Sequence, residues 1–174
     1  MRIKKIVKSR DCFKCQDPCC RFQKEEISFA PIFTEPEFKK LKTKDKNQIS
    51  FQKYRNSEKV FQVRLVESGK KDIYLCPFLD SSNQQCRIYK RRPLDCRLFP
   101  LVIMKSKDGQ TINLCCYNEL LCSALRNISP EKFEKYKKYL SKWCRNKKTV
   151  RLAKGFPEIV WDYDEDTVII SEIK

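Results

Sequence analysis

Hydrophobic positions along the chain change their period several times, and each change marks an element. The run ISFAPIF (27–33) is apolar and strand-length. Thr34-Glu35-Pro36-Glu37 follows, with a threonine to cap a helix and a glutamate three residues on. This is the capping-box spacing, and it predicts a helix from about Glu35 to Lys42. Residues 43–57 are polar and read as a loop. From Lys59 to Val66 the pattern alternates, with Val60, Gln62 and Arg64 on one side and Phe61, Val63 and Leu65 on the other. The turn ESGKKD (67–72) then leads to Ile73–Cys76, which predicts a hairpin of these two runs.

DSSNQQ (80–85) is a second turn, ending at Cys86, and after Arg91-Arg92-Pro93 a short helix or turn carries Cys96. Leu101–Lys105 and Gln110–Leu114 flank Asp108-Gly109, a hairpin signal. Asn118 to Asn127 reads as a helix. Ser129-Pro130-Glu131 starts another, with a capping serine, proline at the first helical position and an acid in the first turn. Its apolar face of Phe133, Tyr136, Leu140 and Trp143 has helical spacing and reads as core. Ile159 to Ile173 is expected to fold as a last hairpin around Asp164-Glu165-Asp166. Together these predict a small α+β fold of short hairpins and helices, one domain over residues 1–174, with a motif core at 12–100 and a C-terminal extension over 117–174.

Composition changes this picture at one point above all. The chain has 174 residues, eleven of them cysteine and none histidine. Histidine-based acid–base chemistry is excluded, and a transition-metal site must be built mainly from thiolates. With three glycines there is no glycine-rich phosphate loop, which removes nucleotide-binding readings of that kind. The opening MRIKKIVKSR lacks an apolar leader region, so secretion and a disulfide framework are not expected. No apolar run approaches a membrane span, and the expected location is the cytoplasm. The formal net charge is +16. That suits an acidic partner, and nucleic acid is possible, but no aromatic-interleaved basic motif supports it.

The cysteines are clustered rather than scattered. Cys12-x-x-Cys15 is a spacing that lets two thiolates reach one metal, and Cys19-Cys20 follow after three residues. Adjacent cysteines do not easily serve one tetrahedral ion, so one of the doublet could face a second centre or pack in the core. Cys76, Cys86 and Cys96 each sit in a turn-like context, where backbone amides and sulfur come together. Seven thiols exceed one tetrahedral site. An eighth from Cys115, Cys116 or Cys122 would complete two four-thiolate centres, and Cys116 is taken as that candidate. Zinc sites, a multinuclear zinc cluster, or one or two iron–sulfur clusters all fit the count. Arg92 and Arg97, beside the later cysteines, are candidates to offset the charge of the centre or to grip an anionic partner; Arg87 is read as a surface residue. Tyr89 and Phe99 are expected to pack over the centre, Cys144 is read as a core thiol, and Cys122 is left open.

The ordered pattern of Cys12, Cys15, Cys19 and Cys20, then Cys76-Pro-Phe-Leu, then Cys86-Arg-Ile-Tyr with Arg92-Pro93 and Cys96-Arg-Leu-Phe-Pro, resembles the YkgJ-type cysteine-cluster family. That family is described as a zinc- or iron-chelating domain, usually without an assigned reaction, and some relatives are linked to protein lysine methylation with a suggested iron–sulfur centre. The resemblance implies Cys12, Cys15, Cys19, Cys20, Cys76, Cys86 and Cys96 as ligands. Asp17-Pro18 depart from the small residues expected before the doublet. Three functions follow as expectations. The first is an iron–sulfur protein ([4Fe–4S]) with a redox or cofactor-assisting role and an unidentified protein partner. The second is a structural zinc (Zn2+) module that binds protein or nucleic acid. The third is a cluster-dependent transferase-like enzyme using a reactive thiolate of the Cys19-Cys20 pair.

Overall fold

A computed structural model describes residues 3–13, 15, 19–41, 48–118 and 122–174 and gives the expected α+β class, with short helices and antiparallel sheets. The chain divides into two compact units, Cys12–Arg97 and Met1–Asp11 together with Leu98–Lys174. The chain enters the first of these through a short helix, Ser9–Phe13 (α1), and leaves it through another, Leu94–Leu98 (α3).

Within Cys12–Arg97, Arg21–Gln23 (β1) pairs with Ile73–Leu75 (β6), which also pairs with Val66–Glu67 (β5). Ile32–Thr34 (β2), Val60–Val63 (β4) and Phe51–Lys53 (β3) form a second sheet, and Leu79–Asp80 (β7) with Gln85–Cys86 (β8) a two-stranded ribbon. The capping box at Thr34 forms as predicted. The Glu37 carboxylate accepts from the Thr34 amide at 3.1 Å and from its hydroxyl at 2.9 Å. The helix it starts, Glu35–Lys39 (α2), ends before the predicted limit, and Lys42 lies outside the described residues.

Three expectations here are corrected. The run ISFAPIF is not one strand. Lys24–Phe29 is a 3-10 helix whose start is held by Glu26 accepting the Gln23 amide at 2.7 Å, and only the residues after Pro31 pair. The polar stretch 43–57 contains β3; its residues 43–47 lie outside the described residues. The alternating run from Lys59 to Val66 is split between two sheets. β4 pairs with β2 and β3, and the Arg64 amide is taken by the Ser50 carbonyl at 2.9 Å, so only Val66–Glu67 reaches β6. Gln62 is buried on β4. Its amide nitrogen donates to the carbonyls of Ser28 (2.8 Å) and Ala30 (3.0 Å), and its oxygen accepts from the Gln52 amide (3.1 Å). The core gathers Phe22, Phe33, Val63, Cys76, Phe78 and Ile88, with Cys20 and Cys86 packed at its edge. Burying each large apolar side chain contributes roughly 1.5–3 kcal/mol.

In the second unit Leu101–Lys105 (β9) and Ile112–Tyr117 (β10) form the predicted hairpin, with Gly109 at φ 73° and Asp108 accepting the Gln110 amide at 3.1 Å. Pro130–Cys144 (α4) begins where predicted, with the Ser129 hydroxyl oxygen accepting the Lys132 amide at 3.4 Å. Leu140, Trp143 and Cys144 are buried, while Phe133 and Tyr136 are half-buried. A helix not anticipated, Lys147–Gly155 (α5), is capped by Asn146, which accepts the Lys148 amide at 2.9 Å. Over the expected helix 118–127, residues 119–121 lie outside the described residues, and Ser123–Asn127 is 3-10.

The C-terminal hairpin is also corrected. Thr167–Glu172 (β11) pairs antiparallel with β10, not with the residues before the turn, and Trp161 instead bridges to Met104 of β9. The sheet order is β11-β10-β9. No helix among the described residues is long and apolar enough to cross a membrane.

Candidate metal centre

The register of one small sheet brings the first two cysteine segments together. Arg21 of β1 stands opposite Leu75 of β6, so Cys20 and Cys76 flank the ladder at the same end, and the Cys76 amide donates to the Cys20 carbonyl at 2.8 Å. The Cys20 thiol hydrogen-bonds with those of Cys19 and Cys76. The bond from Cys19 favours a Cys20 thiolate, but the bond to Cys76, burial, and the nearness of Cys76 and Cys86 outweigh it and hold the Cys20 thiol protonated.

After Cys76 the chain turns at Pro77, where the Leu79 amide meets the Cys76 carbonyl at 2.8 Å. Leu79 then pairs with Cys86 across the β7–β8 ribbon. The ribbon's turn is fixed by the Asp80 carboxylate, which accepts from the Ser82 hydroxyl at 2.6 Å and the Ser82 amide at 3.0 Å. Those bonds hold its carboxyl below the ordinary carboxylate range. The Cys86 sulfur is raised by burial, while the Ile88 amide and the guanidinium groups of Arg92 and Arg87 favour its thiolate and Cys19 opposes it. An amide aimed at a sulfur in a turn is the arrangement that thiolate ligands use.

Cys96 lies on α3, and the clamp on that helix was not foreseen. Beyond capping α2, Glu37 accepts from the Leu94 amide at 2.7 Å and from the Arg97 guanidinium at 2.9 Å, while Asp95 accepts the Ile32 amide at 3.3 Å. The Cys96 thiol is pushed well up by burial, then by Asp95, Cys20, Cys19 and Cys86. Cys20, Cys86 and Cys96 thus each lie near other thiols of the set, with Cys19 near all three and Cys76 beside Cys20.

Cys12 and Cys15 share a turn, with the Cys15 amide on the Cys12 carbonyl at 3.3 Å; Asp17-Pro18 lie outside the described residues. Between these two cysteines Phe13 packs on Tyr89 with ring centroids 4.8 Å apart, which sets the pair against the connection from Cys86 to Cys96. Arg92 also stacks on the Tyr89 ring, 3.7 Å from its centroid, and its Nε donates to the Tyr89 carbonyl at 3.1 Å. Arg97 is engaged by Glu37, and Arg87 donates to the Pro77 carbonyl.

Cys116 belongs to the second unit. It lies on β10 and is pushed up to about 12 by burial, with Cys122 and Cys115 adding to the shift. Cys144 is fully buried, as expected of a core thiol. Phe99 packs against Tyr117 with centroids 6.0 Å apart, also in the second unit.

The donor set fits a thiolate-bound metal in chemistry. Among the described residues, however, no three Cys, Asp or Glu side chains stand at ligating spacing, and all eleven cysteines are free thiols. A cation bound by these thiols would displace their protons.

Clustered thiols, with the Ile88 amide turned toward the Cys86 sulfur, are the donor set of a metal-chelating cysteine domain. The model of the CxxCxxCC family, described as "Putative zinc- or iron-chelating domain", matches residues 11–145, and the chain belongs to this family. No curated protein and no solved structure matches the chain.

Proposed function

We propose that the Cys12–Arg97 unit holds an iron–sulfur centre of the [4Fe–4S] type and serves a redox or cofactor-assisting role toward a protein partner. The observation that carries this reading is the gathering of five thiols, Cys19, Cys20, Cys76, Cys86 and Cys96, one more than a tetrahedral ion uses, with Cys76 held beside Cys20 by a backbone bond and Cys12 and Cys15 in a turn of their own. When bound, such a cluster supplies one-electron chemistry. Arg92 and Arg87 bring positive charge to Cys86, which favours its thiolate. In this reading Arg97 acts through the helix that carries Cys96. On the same reading the protein works in the reducing cytoplasm, where thiols stay available as ligands.

A second reading, a structural zinc module, is favoured by the brevity of the elements that carry the thiols. They are strands of two or three residues and helices of five, and a bound ion would hold such pieces together. For a transferase-like enzyme the nucleophile would have to be Cys19, the exposed member of the pair, because Cys20 is held protonated.

The test is anaerobic purification without chelators, followed by visible absorption and metal and sulfide analysis of the wild type, Cys20→Ser, Cys76→Ser and Cys144→Ser. The expected result is a brown protein with iron, sulfide and broad absorbance near about 400 nm, lost in the first two variants and kept in the third. A colourless protein with stoichiometric zinc overturns the cluster and leaves the zinc module. A protein that takes up neither metal overturns both.

A further inference from the structure

Among the described residues, β11 is an outer strand of the second unit's sheet. β11 pairs with β10 along one side, and among the described residues no strand pairs with its other side. Natural edges are usually blunted by lysine, proline or shortness. Thr167–Glu172 has neither residue and is as long as any strand of the protein. A register shift against Leu114/Cys115 is its one irregularity. Among the described residues, Val168 and Ile169 are the most exposed large apolar ones, at 54% and 55%. As neighbours on a strand they face opposite sides, so both side chains are open to solvent at this point, although α4 packs against β11.

The charge around this edge is opposite to that of the chain. From Gly155 to Ile173 there are six acids (Glu158, Asp162, Asp164, Glu165, Asp166 and Glu172) and no lysine or arginine, in a protein of net charge +16. Asp162 is engaged by Lys105, and Glu172 by Lys174. Glu165 and Asp166, just before the strand, are exposed.

We propose that the outer edge of β11 docks a basic, extended segment of a partner protein, which adds as a further strand. Backbone hydrogen bonds supply the attachment, β-branched residues of the segment cover Val168 and Ile169, and its lysines or arginines meet the acidic flank. Charge excludes one other occupant: a polyanion such as nucleic acid is repelled by this stretch. A second copy pairing antiparallel would set both Glu172 and Lys174 of one chain beside the other's acidic flank, and a dimer is an outcome the test reads.

The experiment uses the full chain and two fluorescent peptides of alternating valine and charged residue, one with lysine and one with glutamate. Anisotropy is expected to show saturable binding of the lysine peptide alone, weakened about fivefold or more by Glu165→Lys/Asp166→Lys, and by 0.5 M salt. Val168→Lys and, as a β-favouring alternative, Ile169→Thr weaken it while the urea midpoint holds. Amide exchange then slows across 167–172. Equal binding of both peptides, no binding of either, protection elsewhere, or unchanged affinity in folded variants overturns the proposal. So does a concentration-dependent dimer that Val168→Lys abolishes.

Discussion

Replacing Glu37 by alanine removes four hydrogen bonds at once, from the Thr34 amide and hydroxyl, the Leu94 amide and the Arg97 guanidinium. The helix cap is worth about 1 kcal/mol. The guanidinium–carboxylate bond is only partly screened, since the two side chains are 30% and 17% exposed. A bond to a charged group contributes about 1.5–3 kcal/mol when buried and less here. Leaving the Leu94 amide without its acceptor adds about 1 kcal/mol. The expected loss is about 3 kcal/mol for Glu37→Ala. For Glu37→Gln it is about half that, because one oxygen still accepts but the charge is gone. Urea denaturation of the metal-free protein followed by circular dichroism measures both. A second readout is local: mass-mapped alkylation of Cys96 quickens in the alanine variant because α3 loses its clamp. An alanine variant within about 0.5 kcal/mol of the wild type, with Cys96 no more accessible, would refute this account of how the helix is held.

Gln62→Leu leaves the Ser28 and Ala30 carbonyls without their donor, and is expected to cost about 2 kcal/mol in the same urea titration. Burial raises the Cys144 thiol to about 11, with the Ser171 hydroxyl opposing and Cys115 adding to the shift. The unfolded chain therefore ionises first, and the thiol's contribution is full below about pH 8.5 and is lost as pH climbs toward 11. The slope is at most about 1.4 kcal/mol per pH unit, and Cys144→Ala is expected to flatten the fall of the melting temperature over that window. Arg92→Gln withdraws positive charge from Cys86 and is expected to slow alkylation of that thiol about twofold at pH 8, as followed by peptide mapping.

What was legible in the sequence is what local chemistry decides. The Thr34–Glu37 box, the Asp108-Gly109 turn and the Ser129-Pro130 start each depend on residues within four positions of one another, and each forms. Pairing across long separations left no such mark. Nothing in the alternating run from Lys59 says that its register passes to a different sheet after Val63, and nothing in Ile159–Ile173 says that β10 outcompetes its own upstream residues. α5 escaped notice because it buries only Thr149 and Ala153, too narrow a stripe to show a period among so many lysines. At the centre the spacing named the cysteines. Their grouping follows from β1, a three-residue strand hidden in a polar stretch, and from Glu37, whose second task lies far along the chain.

That Cys20 and Cys76 face each other through a ladder frees the site from the length of chain between them. The turn over Ser68–Asp72, with Gly69 at φ 79° and Asp72 at φ 57°, lies at the far end of β6 from Cys76. It can gain residues while the two sulfurs stay in place. Removing one residue inside Ile73–Leu75 would instead turn Cys76 to the opposite face of the sheet. Tolerance to insertion and intolerance to deletion thus sit a few residues apart, and homologues of very different length can keep the same pair of thiols.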